Sequence, residues 1–88
     1  MPADASPVTV YTTEPCGFCR SAKALLDSRG VAYEEINLAR SPDGRASLSQ
    51  LTGQMTFPQI LVGERSIGGF RELVEANRDG TLEDLLTA

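Results

Sequence analysis

Residues 8–19 read Val8-Thr9-Val10-Tyr11-Thr12-Thr13-Glu14-Pro15-Cys16-Gly17-Phe18-Cys19, and their order decides the fold. Val8 to Thr12 is a short run of β-formers, which predicts a strand. Glu14-Pro15 breaks that strand. Two cysteines, three positions apart, then lead into a helix-like stretch from Arg20 to Arg29. A C-x-x-C pair at a strand-to-helix junction reads as a dithiol redox site. Unpaired backbone N–H groups and the positive end of a helix favour a thiolate at the first cysteine. The thiolate, not the thiol, attacks a disulfide. The second cysteine lies one turn on, where it can close an intramolecular disulfide.

Outward from the motif, the helix places Cys19, Ala22, Leu25 and Leu26 on one stripe, with Arg20, Lys23 and Asp27 off it. Gly30 is its stop. Val31 to Leu38 predicts a second strand, with Ala32, Ile36 and Leu38 in phase. Ser41-Pro42-Asp43 combines a capping side chain with proline at the first helical position. Leu48 and Leu51 supply that helix's apolar stripe, and Gly53 ends it. A loop through Met55 to Pro58 leads into a buried strand over Gln59 to Val62. Gly63-Glu64 is a hairpin turn, and Arg65 to Gly68 returns. A helix over Phe70 to Arg78 turns Phe70, Leu73 and Val74 inward, and a short last helix carries Leu82, Leu85 and Leu86. The first crossover implies parallel strands and the hairpin an antiparallel pair.

Eighty-eight residues imply one domain, over 7–88, with residues 1–6 a disordered N-terminus. The net charge is −4, with no basic stripe, which argues against nucleic acid. No run is long enough to span a membrane, and the N-terminus lacks the pattern of a secretory signal. The expected location is therefore cytoplasmic, where a C-x-x-C is catalytic or metal-binding rather than structural. There is no histidine, and the two cysteines are the only ones. One chain therefore offers too few ligands to hold an iron–sulfur cluster.

Four features in order carry a resemblance over Val8 to Leu86: Val-Tyr-Thr before the motif, Cys16-Gly17-Phe18-Cys19, Thr56-Phe57-Pro58-Gln59, and Gly68-Gly69. Together they resemble the glutaredoxin family. The resemblance implies a thioredoxin-like α/β fold, with a four-stranded mixed sheet flanked by helices on both faces. It implies a monomeric dithiol oxidoreductase with Cys16 as nucleophile and Cys19 as resolving thiol. Pro58 takes the place of the family's cis-proline, and the backbone of Phe57 that of a substrate guide. Phe18 would stand beside the thiols. Thr56, Gly69 and Phe70 would line the ligand, with Gly69 admitting close backbone approach. Implied partners are glutathione or another low-molecular-weight thiol, and proteins containing disulfides.

The chain departs from the family at the charged positions. Where a lysine usually precedes the first cysteine by three residues, it has Thr13. Where an aspartate usually follows the Gly-Gly pair by two, it has Arg71. Arg45 matches a position that reaches the glutathione glycine carboxylate. Phe70-Arg71 is similar to redoxins served by thioredoxin reductase, and Thr12-Thr13 with Cys-Gly-aromatic-Cys to mycoredoxins, which use mycothiol. Cys-Gly-Phe with Thr-Phe-Pro-Gln is similar to cluster-carrying relatives. In those, Cys16 of two chains and two glutathione thiols would hold a [2Fe-2S] cluster.

Overall fold

A computed structural model describes residues 7–86. The expected disorder of residues 1–6 lies outside the described residues. The elements run β1 (Val8–Thr12), α1 (Gly17–Ser28), β2 (Glu34–Asn37), α2 (Pro42–Thr52), β3 (Gln59–Val62), β4 (Arg65–Gly68), α3 (Phe70–Asp79) and α4 (Thr81–Leu86).

The strands form one mixed sheet in the order β2-β1-β3-β4. β1 pairs with β2 in parallel, Thr9 opposite Glu34 and Thr12 opposite Asn37. It pairs with β3 antiparallel, Val10 opposite Ile60 and Tyr11 opposite Gln59. β3 and β4 form the expected hairpin, with a register shift between Ile60 and Leu61. β3 is buried along its whole length, so it runs Gln-Ile-Leu-Val without polar alternation at its outer end.

Alternation along the strands sorts side chains to two faces. Val8, Val10, Ile60 and Val62 meet Ala22 and Leu26 of α1, Leu73 and Ala76 of α3, and Leu82 of α4 in one core cluster. On the other face Tyr11 shares a small hollow with Leu38, Leu48 and Leu51, beneath α2. Helices therefore cover both faces.

The helix boundaries have local causes. Ser41 caps α2 by accepting the Gly44 N–H at 3.1 Å, and Pro42 occupies the first turn. Gly53 ends α2 at φ 75°, a left-handed conformation that glycine adopts without steric cost. Glu72 Oε1 accepts the Gly69 N–H at 2.8 Å, tying off the start of α3.

Four expectations shift. α1 begins at Gly17 rather than Arg20, so Cys19 is already inside the first helical turn. β2 begins at Glu34 rather than Val31, because the Val31 N–H is bonded to the Leu26 carbonyl in the helix exit. Ala32, expected in phase with the strand, is consequently exposed, while Val31 and Tyr33 pack against the core. Leu51 is 66% exposed, leaving Leu48 as the only buried residue of α2. In α3 the buried pair is Leu73 and Ala76, with Val74 half-buried.

Leu26 is fully buried where α1 meets the sheet. Leu26→Ala is expected to cost about 2–5 kcal/mol through lost burial and a residual cavity. Urea unfolding would show this as a lower midpoint with unchanged slope. A loss well below 1 kcal/mol would mean that α1 is not seated on the core as described.

Candidate active site

Cys16 and Cys19 are joined by a disulfide, with Cα atoms 5.2 Å apart. Cys16 is the N-cap of α1, in extended backbone conformation, and its Sγ accepts the Cys19 N–H at 3.1 Å. A sulfur in this place receives one of the helix's unsatisfied donors and faces the positive end of the helix dipole. The two sulfurs differ in access. Cys16 is half-buried, whereas Cys19 is 2% exposed and faces inward on the same stripe as Ala22 and Leu26. An attacking group reaches Cys16 first.

On one side of the disulfide lies a polar cavity of about 520 Å³, lined by both cysteines, Thr13, Glu14, Arg20, Lys23, Glu35 and Asn37, with Thr12 and Pro15. Lys23 donates to both carboxylate oxygens of Glu35 at 3.1 Å. The buried Thr12 hydroxyl donates to Glu35 Oε2 at 2.8 Å. The Thr12 hydroxyl is the main cause that holds the Glu35 carboxyl below the usual range; partial burial opposes it and Lys23 reinforces it. Asn37 donates to the Glu14 carboxylate at 2.7 Å. Neither Lys23 nor Glu35 was singled out by sequence reasoning, and Thr12 entered only through the likeness to mycoredoxins. The signal was the placement of Lys23 four residues, about one helical turn, after Cys19.

A second, open groove of about 410 Å³ is lined by Phe18, Thr56, Phe57, Pro58, Gly69, Phe70, Arg71 and Glu72, and meets the motif at Phe18. The Phe57–Pro58 peptide bond is cis, as is Glu14–Pro15. Gln59 shapes the segment before Pro58: it is 1% exposed, and its Nε2 donates to the carbonyls of Gln54 at 3.1 Å and Thr56 at 2.8 Å. A Cβ on Gly69 would lie 3.4 Å from the Pro58 carbonyl oxygen, so α3 approaches this segment closely. Gly68, at φ 118°, takes a backbone turn that side-chain-bearing residues resist.

Seven expected ligand-lining residues thus meet in one groove: Phe18, Thr56, Phe57, Pro58, Gly69, Phe70 and Arg71. Thr13 does not join them; it lies in the polar cavity. Arg45 stands apart as well. Its Nη1 donates to the carbonyls of Leu38 and Ala39 at 2.7 and 2.9 Å, tying α2 to the loop before it. It borders a separate cavity that shares Phe57 with the groove. Among the described residues no helix is long and apolar enough to cross a membrane.

A four-stranded mixed sheet with helices on both faces and a half-exposed cysteine capping α1 defines a dithiol redox protein of thioredoxin-like fold. A family model described as Glutaredoxin matches residues 8–67. The chain is 42% identical over 80 residues to a glutaredoxin of Neisseria meningitidis, covering 90% of this chain and 94% of that protein. It is 43% identical over 82 residues to a glutaredoxin of Pseudomonas aeruginosa, covering 93% and 98%. The buckwheat glutaredoxin–glutathione complex superposes with a TM-score of 0.84 at 39% identity, over 93% of this chain and 77% of that one. The glutaredoxin of Brucella melitensis gives 0.86 at 36% identity, over 99% and 95%. This chain belongs to the glutaredoxin family and is a dithiol thiol–disulfide oxidoreductase.

The Glu35 cluster has a pH signature. A carboxyl whose folded value is depressed contributes stability that is present above its unfolded value and is lost as pH falls through the folded one. Glu35→Gln is therefore expected to lower stability at pH 7 by about 0.2–1 kcal/mol, given the partial exposure of the pair. The gap between variant and parent should close as pH drops below the ordinary carboxylate value of 4.5. A gap that persists in acid, measured by urea unfolding, would assign the effect to side-chain shape instead of charge.

Proposed function

We propose that Cys16 is the nucleophile and Cys19 the resolving thiol in the reduction of protein disulfides and of mixed disulfides between proteins and glutathione. The observation that carries this is the unequal access of the two sulfurs, with the accessible one capping a helix. In the reduced enzyme the Cys16 thiolate attacks one sulfur of a substrate disulfide. A new S–S bond forms to Cys16, and the other substrate sulfur leaves as a thiolate that takes up a proton. Two routes complete the cycle. Cys19 loses its proton and attacks Cys16, releasing the bound half as a thiol and closing the internal disulfide. Alternatively, a second low-molecular-weight thiol attacks the mixed disulfide directly. By the first route the substrate disulfide gains two electrons and the enzyme is left with the Cys16–Cys19 disulfide, which two external thiols reduce as they join in a disulfide; by the second the external thiol leaves disulfide-bonded to the half that Cys16 held, and Cys16 is freed.

Glutathione as the co-substrate is supported by the buckwheat relative, whose structure is a complex with it. In this chain the groove with Phe57, Pro58 and Gly69 is the place for it, with Thr56, Phe70 and Arg71 at its margin. Thr13 and Arg45 lie outside that groove and are set aside as direct contacts. The absence of a basic residue at Thr13 and the positive Arg71 favour a second candidate for the electron donor, thioredoxin reductase or a different small thiol. A [2Fe-2S] cluster would need Cys16 of two chains and two external thiols, and the Cys16–Cys19 disulfide competes for the same sulfur. A reducing, cytoplasmic compartment suits a dithiol that must be regenerated after each turnover.

Cys16→Ser is expected to bring turnover of a small mixed disulfide to background. Cys19→Ser should keep the route that uses an external thiol and lose the internal one, so protein disulfides are no longer reduced. Activity retained by Cys16→Ser would overturn the assignment. Supplying NADPH through glutathione and its reductase in one arm, and through thioredoxin reductase in another, identifies the donor by which arm turns over.

A further inference from the structure

Phe18 is a large apolar side chain at 65% exposure, positioned between the two cysteines in the chain. Its ring stacks on Phe70, with centroids 6.0 Å apart and planes inclined by 28°. The pair bridges the starts of α1 and α3, and Phe18 follows Cys16 by two residues at the start of α1. Phe57 borders both this groove and the next hollow, where Met55 is 81% exposed. Through Phe57 the apolar surface runs on from the groove into that hollow. Exposed aromatic and methionine side chains on such a ledge are a mark of interaction surfaces.

The charge on this ledge is one-sided. Only Arg71 and Glu72 among the groove's lining residues are charged. Glu72 is turned back to cap its own helix through the Gly69 N–H. Arg71 is exposed, and no ion pair holds it among the described residues. The positive end of α3 adds the same sign. Phenyl faces would also accept a cation, so a basic segment is the competitor that Arg71 repels.

We propose that this ledge selects client polypeptides in which the disulfide-bonded cysteine is flanked by a large apolar side chain and a carboxylate. The Phe18–Phe70 pair takes the apolar side chain and Arg71 the carboxylate. The proposal rests on the assignment of Cys16 as nucleophile.

The test uses short peptides whose single cysteine is disulfide-linked to 2-mercaptoethanol, an uncharged leaving thiol. Four peptides carry Phe or Ala before the cysteine and Asp or Lys after it. The prereduced protein reacts with each, and peptide release is followed by chromatography. The expected result is a second-order rate constant about two- to five-fold higher for Asp than for Lys, the scale of an exposed charge contact. A preference of Phe over Ala should accompany it. Arg71→Gln should abolish the charge preference and Arg71→Glu should invert it, both keeping the Phe preference. Phe70→Ala should weaken the Phe preference and keep that for Asp. Equal rates for all four peptides, or an Asp preference that survives Arg71→Glu, would overturn the proposal while leaving the role of Cys16 intact. No reduction of any peptide would overturn the role of Cys16, and the proposal with it.

Discussion

Much of the site depends on a sulfur serving as a helix cap. Because the Cys16 Sγ accepts the Cys19 N–H, α1 must begin immediately after it, and the helical turn then carries Cys19 inward. Serine or aspartate would cap the same helix more conventionally. Here the capping atom is itself the reactive one. The start of the helix, the burial of the second cysteine and the polarity at the first are consequences of one local arrangement. The core contacts of Ala22 and Leu26 then lock the helix, and the cysteines with it, against β1 and β3.

Two unlike cavities meet the motif, one at both cysteines and the other at Phe18. One is wet and charged, with Lys23, Glu35 and Thr12 satisfying one another. The other is mainly apolar, with Arg71 and Glu72 at its margin, and is bordered by the Pro58 segment and the start of α3. Gln59 reaches back to two carbonyls of the loop to hold that segment in place. Its own Oε1 is buried without a hydrogen-bond partner among the described residues. The loop ahead of Pro58 thus depends on one amide that is only partly satisfied.

The fold was legible where local signals agreed. Ser41-Pro42 and Gly53 bound α2 correctly because capping and left-handed glycine are decided within a few residues. Cys16, Phe18 and Pro58 stood out as candidates for a similar reason: each belongs to a short motif. What escaped was decided by contact between distant segments. β2 starts late because Val31 answers to the end of α1. Leu51 looks inward by spacing, yet the sheet below α2 buries only Leu48. Glu34 breaks the apolar phase of β2, while the role of its neighbour Glu35 is decided on two other elements, by Thr12 and Lys23. Arg45 matches a ligand-contact position by resemblance, and what the sequence did not show is that its Nη1 is bonded to two backbone carbonyls.

Lys23 is the only lysine in the chain. Its ammonium is hydrogen-bonded to Glu35 in the cavity that both cysteines line. Amine chemistry aimed at side chains therefore has a single address, and it is beside the disulfide. An acylating dye, cross-linker or sensor surface that reacts at Lys23 would cut the ion pair and load the cavity at once. A tether that leaves this protein in working order has to be built elsewhere on its surface.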